Sequence, residues 1–175
     1  LNDGRGAFPT WTTFGAGDSR GVALGDLDGD GDLEAVTANN DQAQVVFLND
    51  GSGTFTEHSI FGSIFGDSHD VALGDLDGDG DLDAVVANGG NQVQDVCFND
   101  GSATFTCSTS FGTGKTQVVA LGDVDSDGDL DAVLASNRGD PQEVWLNDGS
   151  GGFSGPGAFG AGTSRGLALG DLDAD

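Results

Sequence analysis

One twelve-residue stretch recurs along this chain at a nearly constant interval. GDLDGDGDLEAV at 25–36 returns as GDLDGDGDLDAV at 74–85 and GDVDSDGDLDAV at 122–133, and starts again as GDLDAD at 170–175. The first Asp of each copy stands at 26, 75, 123 and 171, in steps of 49, 48 and 48. A second landmark keeps the same step: LNDGRGAF at 1–8, LNDGSGTF at 48–55, FNDGSATF at 98–105 and LNDGSGGF at 146–153. All 175 residues are therefore repeat, and a period of this length restricts the fold to stacked arrays and propellers.

Within one unit the pattern predicts four short strands. VALGD (22–26) precedes the Asp-rich loop and EAVTAN (34–39) follows it; QVVFLN (44–49) then leads through Asp50-Gly51-Ser52-Gly53 into TFTEHSIF (54–61). The runs are short, rich in Val, Phe and Thr, and bounded by Gly, Asn and Asp, and none keeps a 3.6-residue apolar period for three turns. The Asn-Asp-Gly clusters suit tight hairpins, where Gly takes a positive φ. An all-β fold of propeller blades, each of four antiparallel strands, is the expectation. A single blade cannot bury both faces, so the recurring Val and Leu pairs should fill the space between blades. A calcium-stacked parallel β-helix is the rival array, but its repeat is far shorter, near nine residues.

Charge narrows the partners. The chain holds 30 Asp and Glu against 5 Lys and Arg, a net charge of −25, so it lacks the basic clusters that nucleic acid or an anionic membrane needs. No apolar run approaches the roughly 20 residues of a membrane span. Eleven Phe with clustered Val, Leu and Ala supply the apolar surface that a disordered acidic chain lacks. The chain opens at Leu1 and stops at Asp175 inside a motif, as an excerpt of a longer protein would.

The acidic loops carry the chemistry. In the first, Asp26, Asp28 and Asp30 stand at positions 1, 3 and 5, Gly31 at 6, Asp32 at 7 and Glu34 at 9. The second repeats this with Asp75, Asp77, Asp79, Asp81 and Asp83, the third with Asp123, Asp125, Asp127, Asp129 and Asp131. A fourth, truncated loop holds Asp171, Asp173 and Asp175 and is expected to bind weakly or not at all. Ca²⁺ takes six to eight oxygens at about 2.3–2.6 Å, and alternate carboxylates on a curled loop converge on one point. Position 7 is expected to ligate through its backbone carbonyl, with its side chain turned to solvent. An EF-hand needs Glu at position 12 and flanking helices; here position 12 is Thr37, Val86 or Leu134 and the flanks read as strands. Position 9 must supply the last side-chain ligand, and one Ca²⁺ per complete loop is expected.

These units resemble the FG-GAP or VCBS repeats of integrin α-subunit propellers and their bacterial surface relatives. The resemblance rests on the D-x-D-x-D-G-x-x-[DE] loops and on Phe14-Gly15, Phe65-Gly66, Phe111-Gly112 and Phe159-Gly160 ahead of each first strand. It implies that each loop joins the first and second strands of a blade and that its calcium is largely structural. Family propellers commonly have seven blades, whereas three complete repeats with incomplete ends stand here; the open strand edges invite self-association.

Other residues carry weaker signals. Cys97 and Cys107 flank the Asp100-Gly101 hairpin on adjacent strands and suit either a cross-strand disulfide, in an oxidising compartment, or two thiols. Arg20, His69, Gln117 and Arg165 align at one repeat position and would ring the mouth of the central channel, on the rim opposite the acidic loops, as a ligand patch or as solvated loop residues. Arg138-Gly139-Asp140 spells an integrin-recognition tripeptide, too short to carry an adhesion reading alone. Trp11 and Trp145 read as packed strand residues, and His58 and His69 as single residues without a repeated partner.

No catalytic constellation emerges, since the Asp clusters are used by the loops and no Ser stands with a His and an acid at recognisable spacing. The expectation is a calcium-binding scaffold of a secreted or cell-surface protein, not an enzyme, serving protein interaction or adhesion. The alternatives are a lectin-like module for neutral glycans and a non-catalytic part of a propeller polysaccharide lyase.

Overall fold

The computed structural model describes residues 13–15, 17–64, 66–112, 115–137 and 139–170. Twelve strands form three four-stranded antiparallel sheets, with no helix among the described residues. The first sheet runs β1 (Ser19–Gly25), β2 (Glu34–Asn39), β3 (Gln44–Asn49), β4 (Phe55–Phe61). The second is β5 (Ser68–Gly74), β6 (Asp83–Asn88), β7 (Gln94–Asn99), β8 (Phe105–Phe111). The third is β9 (Thr116–Gly122), β10 (Asp131–Ser136), β11 (Pro141–Asn147), β12 (Phe153–Ala161). The meander order is that of a propeller blade, and the sheets do not close into a ring. Strands β2 and β3 have the predicted bounds, while β1 starts three residues earlier than the sequence suggests.

Burial follows strand position. Every residue of β2, β6 and β10 is buried, whereas β4, β8 and β12 are largely exposed. A second strand lies inside its sheet and is buried throughout, so it reads as the near-continuous small-apolar runs EAVTAN, DAVVAN and DAVLAS; β6, in the middle sheet, has a blade on each face. Alternate residues of β6 serve opposite interfaces. Ala84 and Val86 join Leu27, Val36, Val46 and Phe61 of the first blade. Val85 and Ala87 join Val119, Ala132 and Leu134 of the third. The cores therefore lie between blades, and the first strands β1, β5 and β9 adjoin one another.

A phenylalanine ladder clasps successive units. Phe14 stacks on Phe55 at 4.6 Å, Phe61 on Phe105 at 4.7 Å and Phe111 on Phe153 at 4.4 Å. This corrects the landmark read in the second repeat: the equivalent of Phe14-Gly15 and Phe111-Gly112 is Phe61-Gly62, while Phe65 lies outside the described residues. Gly15, Gly62, Gly112 and Gly160 all take positive φ, between 59° and 75°, which Gly66 does not share. Two Phe-Gly dipeptides fall four residues apart in that connection, and spacing alone does not choose between them.

One interblade pair shows why the repeats differ. Gly151 has a φ of 73°, and a Cβ there would drive into the Phe98 ring of the preceding blade. Its equivalent in the second blade is Ala103, which also has a positive φ, 61°. The residue corresponding to Phe98 is then the smaller Leu48, which packs against the cluster containing the fully buried Ala103.

Cys97 and Cys107 pair across β7 and β8 and are joined, S–S 2.02 Å. Trp145 packs tilted against Phe111 at 5.4 Å and donates from Nε1 to Glu143, as a packed strand residue would. Trp11 lies outside the described residues.

Candidate metal centres

Each acidic loop joins the first strand of its blade to the second, within a hairpin and not between helices. Position 1 organises the curl. Asp26 accepts from Gly29 N at 2.9 Å and Gly31 N at 3.1 Å, Asp75 from Gly78 N and Gly80 N, and Asp123 from Ser126 N and Gly128 N. Gly31, Gly80 and Gly128 take φ of 93°, 97° and 100°, the sharp turn that position 6 requires. Position 5 closes the loop by accepting the position 7 N–H: Asp32 N to Asp30, Asp81 N to Asp79 and Asp129 N to Asp127, each at 2.9 Å.

Position 9 is the pivot. Glu34, Asp83 and Asp131 are 0% exposed, and each carboxylate spans two backbone donors. Glu34 takes Leu27 N at 2.8 Å and Asn49 N at 3.4 Å; Asp83 takes Leu76 N at 3.0 Å and Asn99 N at 2.9 Å; Asp131 takes Val124 N and Asn147 N, both at 2.9 Å. One acid thus ties the loop to the far end of the third strand. Burial pushes Asp83 up to about 6 despite those donors, with Asp77 and Asp79 adding to the rise. Glu34 is raised for the same reasons, burial first.

Another set of acids behaves oppositely. Asp50, Asp100 and Asp148, in the Asn-Asp-Gly turns, sit below the usual carboxylate range because Ser52, Ser102 and Ser150 donate to them. Those acids already have their donors. The loop acids are short of positive charge: Asp125 and Asp129 are raised by desolvation and then by neighbouring carboxylates.

The convergence of carboxylates could hold a metal ion. Carboxylate oxygens of Asp26, Asp28, Asp30 and Glu34 lie within 4.8 Å of one another, as do those of Asp75, Asp77 and Asp83, and of Asp123, Asp125 and Asp127. Ligands on opposite sides of Ca²⁺ lie at most about 5 Å apart. Asp79 and Asp131 belong to the same loops but stand outside these sets. Asp171, Asp173 and Asp175 lie outside the described residues.

Position 7 departs from expectation. The Asp32, Asp81 and Asp129 carboxylates are not turned freely to solvent but lie over Gly51, Gly101 and Gly149 of the neighbouring turn, where an added Cβ would come within 2.5–2.6 Å of Oδ2. A glycine in that turn makes the space.

A continuous hydrogen-bonded path links the three loops. Leu27 N–H donates to Glu34, and the Leu27 carbonyl accepts Asn99 Nδ2 of the next blade at 2.9 Å. Asn99 N–H donates to Asp83, which also holds Leu76 N–H; the Leu76 carbonyl accepts Asn147 Nδ2 at 2.9 Å. Asn147 N–H in turn donates to Asp131. Sequence reasoning treated these asparagines as turn formers. The signal that could have found the link is Asn99 and Asn147 standing 72 and 71 residues after Leu27 and Leu76. Gln44, Gln94 and Gln142, all buried, were also missed; each accepts the N–H at the end of the second strand.

On the opposite rim, Arg20, His69, Gln117 and Arg165 do come together around a concavity of about 350 Å³. Arg20, His69 and Gln117 lie in β1, β5 and β9 and not in the preceding connections. His69 is not partnerless, since Nε2 stands 3.1 Å from Asp67. Of the tripeptide at 138–140, Arg138 lies outside the described residues and Asp140 pairs with Lys115 at 3.1 Å.

These features define an array of four-stranded blades, each carrying an acidic hairpin loop able to bind a metal ion. The FG-GAP-like repeat matches the chain three times, over residues 26–86, 75–134 and 123–175, and the chain belongs to that family. No match was found among curated proteins. FG-GAP repeats are typical of extracellular proteins, and the Cys97–Cys107 disulfide is consistent with that setting.

Proposed function

We propose that the chain is a calcium-stabilised propeller scaffold of a secreted or cell-surface protein, serving interaction or adhesion and not catalysis. The observation that carries this reading is the convergence of three or more loop acids in each complete loop, joined in the first two by the fully buried position 9 carboxylates of Glu34 and Asp83. Such a cluster is costly without a cation, and no Lys or Arg pairs with it among the described residues. The hard oxygen donors and flexible loop favour Ca²⁺ over Mg²⁺, which demands octahedral geometry and keeps its waters. Glu34, Asp83 and Asp131 would hold the ion beside the position 1, 3 and 5 acids, and the bound charge would lock the first hairpin of each blade against its third strand.

Calcium that binds only the native state adds about 2.7 kcal/mol per site at a hundredfold excess over Kd. Differential scanning calorimetry in millimolar calcium and in excess chelator tests this, with about one calcium per complete loop by titration calorimetry. A melt unchanged by the chelator sinks the reading.

A further inference from the structure

The rim away from the acidic loops is mixed in charge, with Asp67 and Asp140 beside its bases. The chain carries six acids for every base, yet all three Lys and Arg among the described residues line one bipartite depression. Arg20, Lys115 and Asp67 line its larger part, about 390 Å³, and Arg20 and Arg165 its smaller part, which holds no carboxylate among the described residues. We propose that this depression binds a carboxylated, hydroxyl-rich ligand with the chemistry of a uronic-acid sugar.

The donors are held in place. Asp67 receives Arg20 Nη1 at 2.7 Å across the blade boundary and His69 Nε2 at 3.1 Å on its own blade. His69 Nδ1 faces the Thr116 carbonyl at 2.9 Å and lies against Gln117 Nε2 of the third blade. Three successive blades are thereby joined through side chains at one register of their innermost strands. A guanidinium carries five donors in a planar fork, so Arg20 keeps donors beyond the Nη1 that Asp67 receives. Arg165 has no ion-pair partner among the described residues and is exposed. Two such forks beside the smaller part, which has no acid in its described lining, match a carboxylate.

The rest of the lining selects against flat or apolar ligands. It consists of Gln117, Asn91, Asn137 and glycine backbone, with Val118 as its apolar member and no Phe, Tyr or Trp among the described residues. Amides and backbone groups answer hydroxyls, and a depression of this volume is of ligand size.

Backbone strain points to the same place. Lys115 has a φ of 92°, a region that a long side chain rarely occupies, and such outliers gather at ligand clamps. That conformation places Nζ 3.1 Å from Asp140 Oδ2, in a part-buried pair.

The proposal names the ligand face of the scaffold and rests on that reading only for the blades being in place. The experiment is saturation-transfer NMR and titration calorimetry of the chain in calcium with glucuronate, glucose and inorganic phosphate, with melting temperature recorded on the same samples. Glucuronate should saturate the site and glucose should not. Arg165→Gln should weaken glucuronate about tenfold or more with Tm unchanged. Lys115→Gln should weaken it as well. Equal binding of glucose and glucuronate, displacement by phosphate at equal concentration, or no saturable binding would each overturn the proposal. Loss of the calcium-dependent rise in Tm would instead overturn the scaffold reading.

Discussion

The path joining the loops makes unequal demands on two equivalent asparagines. Asn147 serves two backbone groups with its side chain: Nδ2 donates to the Leu76 carbonyl at 2.9 Å, and Oδ1 accepts Gly151 N at 3.1 Å. Asn99 serves one. Its Nδ2 donates to the Leu27 carbonyl, which also accepts Ala103 N at 3.1 Å, and its Oδ1 is buried without a partner. Truncating Asn147 to Ala leaves a buried donor and a buried acceptor open, at about 1–3 kcal/mol for each group left unsatisfied. Truncating Asn99 leaves the Leu27 carbonyl with one partner and removes an unsatisfied oxygen. We expect Asn147→Ala to cost about 2–4 kcal/mol and Asn99→Ala about 1 kcal/mol, measured by urea unfolding in calcium. For a chain of this size the first corresponds to a fall in Tm of roughly 5–15 °C. Asn147→Ala should also weaken calcium in the loop beginning at Asp75, in the preceding blade, which a charge-removing variant of that loop would isolate in the titration. Equal costs for the two substitutions, or a loss of affinity confined to the loop beginning at Asp123, would refute the path.

Gly151→Ala should cost about 2–4 kcal/mol, through the left-handed backbone and overpacking against Phe98. Adding Phe98→Leu should recover the packing part alone in a double-mutant cycle. In chelator, thermal melts should show stability falling as pH rises from about 4 to 6. Asp83 has its pKa raised from 3.8 to about 6 in the fold, so the folded state holds the proton more tightly and the penalty is complete above that value. With calcium the trend should reverse, because protons then compete with the metal; a slope independent of calcium would contradict this. Reducing the Cys97–Cys107 bond, which closes a separation of 10 residues, should cost about 2–3 kcal/mol in reductant melts.

Much of the fold was legible because each blade repeats its instructions. The 48–49-residue step, the Asn-Asp-Gly turns and the short β-branched runs located four strands per unit, two of them to the residue. The D-x-D-x-D-G spacing located the loops for the same local reason: ligand, turn and carboxylate lie within nine residues. What escaped notice depends on contacts between units. The choice between Phe61 and Phe65, the seat of Asp32 over Gly51, and the reach of Asn99 to Leu27 require knowing which blade faces which. The rim was half legible, since periodicity aligned Arg20, His69, Gln117 and Arg165, but the opposing Asp67 and the strained Lys115 lie off that register.

The asparagine links also run in one direction along the chain. The first two loops are each secured by an asparagine that follows by 72 or 71 positions, and the described residues hold no such link in the reverse direction. At about 5–20 residues per second, a loop emerging during synthesis waits roughly 4–14 s for the asparagine that fastens it. The array is thus assembled like a zip with one slider, every blade closing the one made before it.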